Sequence, residues 1–217
     1  MRLKRNAHMD AILAASEARA RGEKPLPLPA CNGKKLSQLK AQEQPLSSGQ
    51  LRILGIDTAL RKTGWGLIDA CGNRFTPVDC GVILNQPDLF LSDCLRRLNA
   101  GIKGLLTRYN PDLAVIEGGF YCKNVRTAII LGTARGAVLG VLAEAQIPIY
   151  EYAPRRVKQV VCGFGNASKQ QVALLVAQFL KIQVNNLPDD ATDALALALC
   201  HAQIMGIAQG LGLESPI

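Results

Sequence analysis

The stretch LRILGIDTALRKTGWGLID, Leu51 to Asp69, decides how the rest of the chain is read. An apolar run, Ile53-Leu54-Gly55-Ile56, delivers a carboxylate at Asp57; a second run, Trp65-Gly66-Leu67-Ile68, ends in Asp69. Both runs have strand length, and the segment TALRKTG between them supplies the turn. A strand that enters a core avoids charge, because desolvating an unpaired carboxylate costs on the order of several kcal/mol. Asp57 therefore has a compensating partner, or it stands at the open end of its strand where chemistry can use it.

Downstream, the turn ACGN leads to a third strand near Val78–Leu84, so the first three strands form an antiparallel meander. Leu91, Leu95, Leu98, Ile102, Leu105 and Leu106 recur at helical spacing and predict a helix over Leu91–Tyr109. Asn110-Pro111-Asp112 breaks it, and Leu113–Ile116 reads as a short buried strand that again ends in an acid, Glu117. Asn124–Ala145 reads as a second helix, smooth on one side where Gly132, Ala134, Gly136 and Gly140 fall. A strand over Ile147–Tyr152 follows, then helices over Ser168–Leu180 and Asp189–Ile207. The fold class is α/β: a five-stranded mixed sheet flanked by helices on both faces.

Residues 1–50 have a different character. They hold nine Lys and Arg against four Asp and Glu, and four prolines at 25, 27, 29 and 45. Alternating proline denies a helix its donors, so 1–50 is expected to be a disordered basic tail, with a marginal helix at most over Met9–Arg21. A domain over 51–208 and a short tail over 209–217 complete the division. The formal charge of the 217-residue chain is +8, which favours a polyanionic partner such as nucleic acid. Seven cysteines, an odd number with no CxxC spacing, read as reduced thiols rather than a zinc site. No segment is expected to cross a membrane, since Arg135 interrupts the most apolar run. The Arg-rich start carries Asp10 and Glu17 and lacks a long apolar core, so the expected location is cytoplasmic.

Chemistry in open α/β sheets gathers beyond the carboxyl ends of the strands, where Asp57 and Glu117 fall. The last helix begins LPDDATDALALALCHA, with Asp190 and Asp193 on one face. Acids in a first helical turn are favoured by the macrodipole, and that is the preferred reading of Asp189. Asp193 is harder to explain in this way, because an apolar run follows it into the core. Four converging carboxylates refuse to ionise together unless cations neutralise them. Hard oxygen donors suit Mg²⁺ or Mn²⁺, and two such ions about 4 Å apart would assist phosphodiester hydrolysis. In a basic protein the combination points to a nuclease.

The segments ILGIDTALRKTGWGLID, AVIEGGFYCKN, TAIILGTARGAVLGVLAEAQIPIYEYAPRRVKQVVCGFGNASKQQV and LPDDATDALALALCHA resemble, in order and spacing, the RuvC family of Holliday junction resolvases, from about Arg52 to Ala202. The resemblance implies an RNase H-like fold, a homodimer, Mg²⁺ dependence, paired cuts across a four-way DNA junction, and work alongside a branch-migration helicase. It places the family's catalytic, metal-holding acids on Asp57, Glu117, Asp190 and Asp193. Its junction-probing aromatic falls on Phe120, and its DNA-contacting lysines on Lys158 and Lys169. Asp-Thr-Ala stands where many members have Asp-Pro-Gly, and bulkier residues surround Phe120. Neither departure removes an acid.

Ordinary explanations stand beside these. Phe120 and Tyr121 could pack as loop aromatics, although stacking on an unpaired base suits two aromatics beside Glu117 better. Lys158 and Lys169, with Arg155 and Arg156, form a basic strip that is a weak signal alone. His201, two turns beyond Asp193, is expected to be structural, and GFGNAS to be a turn feeding a helix. The competing functions are a nuclease acting on RNA–DNA hybrid or RNA, and a non-catalytic junction-binding protein.

Overall fold

The computed structural model describes residues 50–119, 124–183 and 187–208. Expectations for the two tails (save Gln50) and for Phe120 and Tyr121 fall outside the described residues.

Strands β1 (Leu51–Asp57), β2 (Lys62–Cys71) and β3 (Arg74–Leu84) form the antiparallel meander. Helix α1 (Leu91–Tyr109) then returns the chain to β4 (Leu113–Glu117), which lies parallel to β1. Helix α2 (Val125–Glu144) leads to β5 (Ile149–Tyr152), parallel to β4, and the sheet order is β3-β2-β1-β4-β5. Three helices follow: α3 (Pro154–Cys162), α4 (Lys169–Leu180) and α5 (Asp189–Ala208). The mixed sheet and its flanking helices agree with the sequence reading. α3 is an addition to it, started by Pro154 at the first helical position and stopped by Gly163 at φ 86°.

Alternation along the strands sorts the core into two layers. Leu54, Ile56, Trp65, Leu67, Ala114 and Ile116 face α1 and α2, meeting Leu98, Ile102, Val138 and Leu142. Ile53, Ile68, Leu113 and Val115 face the other way, against Leu195, Leu199, Val176 and Val161 of the last three helices. Odd-numbered positions of β1 and β4 thus point at α5, and the period carries Asp57 and Glu117 to that same side.

α5 lies unusually close to the sheet because glycines face it. A Cβ on Gly55 would fall 1.9 Å from the Ala194 backbone oxygen, and one on Gly64 1.9 Å from that of Asp190. No side chain fits there, so the start of α5 rests directly on the backbone of the β1–β2 pair.

One expectation changes. α2 is long and apolar enough, by length and composition, to cross a membrane, despite Arg135. The core helices of soluble domains pass the same test. Here Ala134, Val138, Val141 and Leu142 pack into the core, whereas Val125 and Ile129 lie 73% and 63% exposed on the outer side. Of the five cysteines among the described residues, all free thiols, Cys80, Cys94 and Cys200 are buried, Cys162 is half-buried and Cys71 is exposed.

Candidate active site

β1 and β4 run side by side in register, Ile56 beside Ile116, so their next and last residues, Asp57 and Glu117, end the two strands at the same level. Facing them is α5, whose Asp193 completes an acidic wall. A cleft of about 290 Å³ opens here, lined by Asp57, Glu117, Asp193, Lys158, Lys169 and the apolar side chains of Val157 and Val172, among others. Asp190, one helical turn before Asp193, does not line the cleft, but its charge is felt at Asp57. Asp189 is 80% exposed in the first turn of α5.

The electrostatics of the cleft follow from crowding. Burial, then the charges of Glu117, Asp193 and Asp190, push the Asp57 carboxyl up to about 7, against the opposing pull of Lys169. Glu117 is raised as well, by burial and by Asp193, with Arg135 pulling the other way. Lys169 sits at the mouth: its ammonium donates to Asp193 at 2.8 Å and lies 3.6 Å from Asp189. That hydrogen bond is the largest single influence raising the Lys169 pKa; burial opposes it, and the charges of Asp193, Asp189 and Asp190 add to it.

Among the described residues, no three acidic, histidine or cysteine side chains close into a ready-made cation cage. The donor set still fits a hard divalent ion. Its oxygens are all carboxylate, and burial together with the charges of Glu117, Asp193 and Asp190 disfavours ionising Asp57 without a compensating charge. A divalent ion shared by Asp57, Glu117 and Asp193 would remove that repulsion.

Around the cleft, the basic strip becomes the helix α3. It presents Lys158 to the cleft, while Arg155 packs against Gly165. Ser168 caps α4 and Gln171 returns the bond, so GFGNAS is indeed a turn feeding a helix that opens on Lys169. His201 is buried against Tyr150, with its Nδ1 2.8 Å from the Tyr152 hydroxyl, as a structural side chain should be.

One residue of the site escaped the sequence reading. Arg135 of α2 donates from Nη1 to the Glu117 backbone oxygen and from Nη2 to Glu151 Oε2 at 2.6 Å. The available signal was a lone arginine inside the apolar run TAIILGTARGAVLGVL, where a charge must find a partner.

Similar proteins share this arrangement of strands and helices. The family model described as "Crossover junction endodeoxyribonuclease RuvC" matches residues 53–201. Two proteins of that name are similar over most of their length. One, from Desulforamulus reducens, is 44% identical and covers 70% of this chain and 93% of itself. The other, from Thermotoga petrophila, is 43% identical, covering 70% and 92%. The solved structure of T. thermophilus RuvC in complex with Holliday junction substrate superposes with a TM-score of 0.70 at 30% identity, covering 77% of this chain and 99% of that one. The yeast mitochondrial Holliday junction resolvase Ydc2, at 13% identity and a TM-score of 0.57, shares the fold. With the family model spanning both strand-end acids and the start of α5, this chain belongs to the RuvC family of crossover junction endodeoxyribonucleases.

Proposed function

We propose that the protein is a metal-dependent endodeoxyribonuclease that resolves four-way DNA junctions by paired phosphodiester hydrolysis in recombination and repair. The observation that carries the reading is one cleft in which Asp57, Glu117 and Asp193 arrive from three separate segments, with Lys158 and Lys169 beside them. Asp57, Glu117, Asp190 and Asp193 would hold the metal, with Mg²⁺ as the natural ion, two per site, and Mn²⁺ as a substitute. When bound, the metal polarises the scissile phosphate and supplies an activated water.

The chain's own residues do the rest. Asp57 is the central ligand, because it feels the charges of all three other acids and gains most from a cation. Lys158 and Lys169 contact the phosphates flanking the cut, holding the strand over the acids. Phe120, three residues beyond Glu117, stacks on a base at the crossover and keeps the exchange point open. Paired incision needs two sites related by a two-fold axis, and each chain brings one acid set, so the working unit is a homodimer. The exposed side of α2, with Val125 and Ile129, is the surface we assign to that contact. A branch-migration helicase acts alongside it in the cytoplasm, and residues 1–50 add non-specific DNA affinity through their positive charge.

Incubating the purified protein with a synthetic mobile four-way junction and Mg²⁺, and reading the strands on a denaturing gel, tests the reading. Wild type should give symmetric nicks, while Asp57→Asn, Glu117→Gln, Asp190→Asn and Asp193→Asn should each lose orders of magnitude in rate. Junction binding should survive or tighten in all four, because fewer acids repel phosphate. Asp189→Asn should cut nearly normally. Wild-type cutting by Asp57→Asn, or preferential cleavage of an RNA–DNA hybrid, would overturn the assignment.

A further inference from the structure

We propose that Arg135 and Glu151 are a positioning pair that sets Glu117, and the root of the loop beyond it, from the opposite face of the sheet. The inference rests on the junction-cleaving reading and deepens it. Glu117 is the last residue of β4, where strand pairing ends. Beyond it come Gly118 and Gly119, the latter at φ 64°, so the chain has little intrinsic stiffness where the carboxylate must be aimed. Two contacts replace that stiffness. The Gly118 N–H donates to the Tyr152 carbonyl at 2.8 Å, and Arg135 donates to the Glu117 carbonyl.

Glu151 closes the arrangement. Its partner in the parallel ladder is Ile116, so it stands on the α2 side of the sheet, whereas the Glu117 carboxylate faces α5. There it holds the other arm of the Arg135 guanidinium at 2.6 Å, with the two side chains only 15% and 31% exposed. Its carboxylate also covers Gly118 so closely that a Cβ there would fall 2.4 Å from Glu151 Oε1. A guanidinium presents two donors in a rigid fork, and both are used, one on the strand end and one on its neighbour. An ion pair whose only task is to fasten a helix to a sheet has no need to bond the carbonyl of the residue that carries the site's acid. Because Arg135 projects from α2, the helix assigned to the dimer contact, the pair also ties each Glu117 to that contact.

The test uses the full-length protein with Arg135→Lys, which keeps the charge but loses the fork, and with Glu151→Gln. Three quantities are read: junction affinity without metal, single-turnover cleavage in Mg²⁺, and Mn²⁺ affinity by calorimetry without DNA. Junction affinity should stay at the wild-type level. Cleavage and Mn²⁺ affinity should fall together, by about 10–100-fold for Arg135→Lys and less for Glu151→Gln, as for residues that orient a metal ligand. Wild-type cleavage and Mn²⁺ affinity in both variants would overturn the proposal, as would loss of junction affinity in step with cleavage, or failure of both variants to fold. If the wild type itself leaves junctions intact, the junction-cleaving reading falls while the Mn²⁺ comparison still judges the pair.

Discussion

The ammonium of Lys169 stands 2.8 Å from a carboxylate oxygen of Asp193, on the side of the acid that faces the cleft it shares with Asp57 and Glu117. With both partners a third or more exposed, such a pair is worth at most about 1 kcal/mol, so a divalent ion or a DNA phosphate can take either partner from it. Lys169→Met should therefore bind Mn²⁺ more tightly than wild type in the absence of DNA. The same variant should bind junctions more weakly, with the slope of log affinity against log salt reduced by about 1. Unchanged Mn²⁺ affinity would remove Lys169 from competition with the metal.

The acid cluster makes stability depend on pH in an unusual direction. Asp57 has its carboxyl raised from 3.8 to about 7 in the folded protein, so between those values the fold binds a proton that the unfolded chain does not. Stability from this group is therefore full below about pH 4 and is lost as pH rises toward about 7. Metal-free wild type should melt at progressively lower temperature over that window, and Asp57→Asn should show a flatter profile. Adding Mg²⁺ should raise the wild-type melting temperature most at the upper end. A wild-type profile that matches Asp57→Asn would contradict the crowding account.

Gly64 tests the close approach of α5. Since a Cβ there would fall 1.9 Å from a backbone oxygen, Gly64→Ala must push the start of the helix away from the sheet. Overpacking of this kind costs roughly 1–3 kcal/mol, and here it displaces Asp190 itself. The expected result is a lower melting temperature together with a cleavage defect larger than the stability loss explains. Melting and cleavage that both match wild type would show that the helix start adjusts freely.

Ile129→Glu addresses the outer side of α2. A charge at a 63%-exposed position costs a lone chain little, but it would sit inside the contact if two copies pair there. Sedimentation should show a dimer for wild type and a monomer for this variant, and paired incision should give way to single nicks. A dimer that persists would move the contact elsewhere.

Most of the architecture was legible in the sequence, because periodicity reports burial and burial decides these elements. Strand β1 and helix α1 have the expected limits, and the antiparallel meander, the acid-ended β4 and the helix before Leu180 follow from local patterns, whereas the parallel pairing of β4 and the Ser168–Gln171 cap are visible only in the structure. Helix α3 was missed because PRRVKQVVC is short and charged on most of its surface, so its two buried valines, Val157 and Val161, looked incidental. Pro154 and Gly163 were the overlooked signals. Asp57 and Glu117 stood out as acids ending apolar runs. The Arg135–Glu151 pair could not be found that way: its partners lie on different elements, and only the packing of α2 over the ends of β4 and β5 brings them together.

Because α5 rests against the bare backbone of Gly55 and Gly64 and contributes an acid to the cleft, a chain on the ribosome reaches its two ends of danger at the same moment. Until that helix emerges, one face of the sheet lacks Leu195 and Leu199 of its cover, and the acid set lacks Asp190 and Asp193. A chain stopped before α5 therefore leaves apolar core exposed, the kind of surface that aggregates, and it lacks two of the four acids proposed to hold the metal. In the proposed mechanism, completing the fold and completing the acid set are therefore the same event.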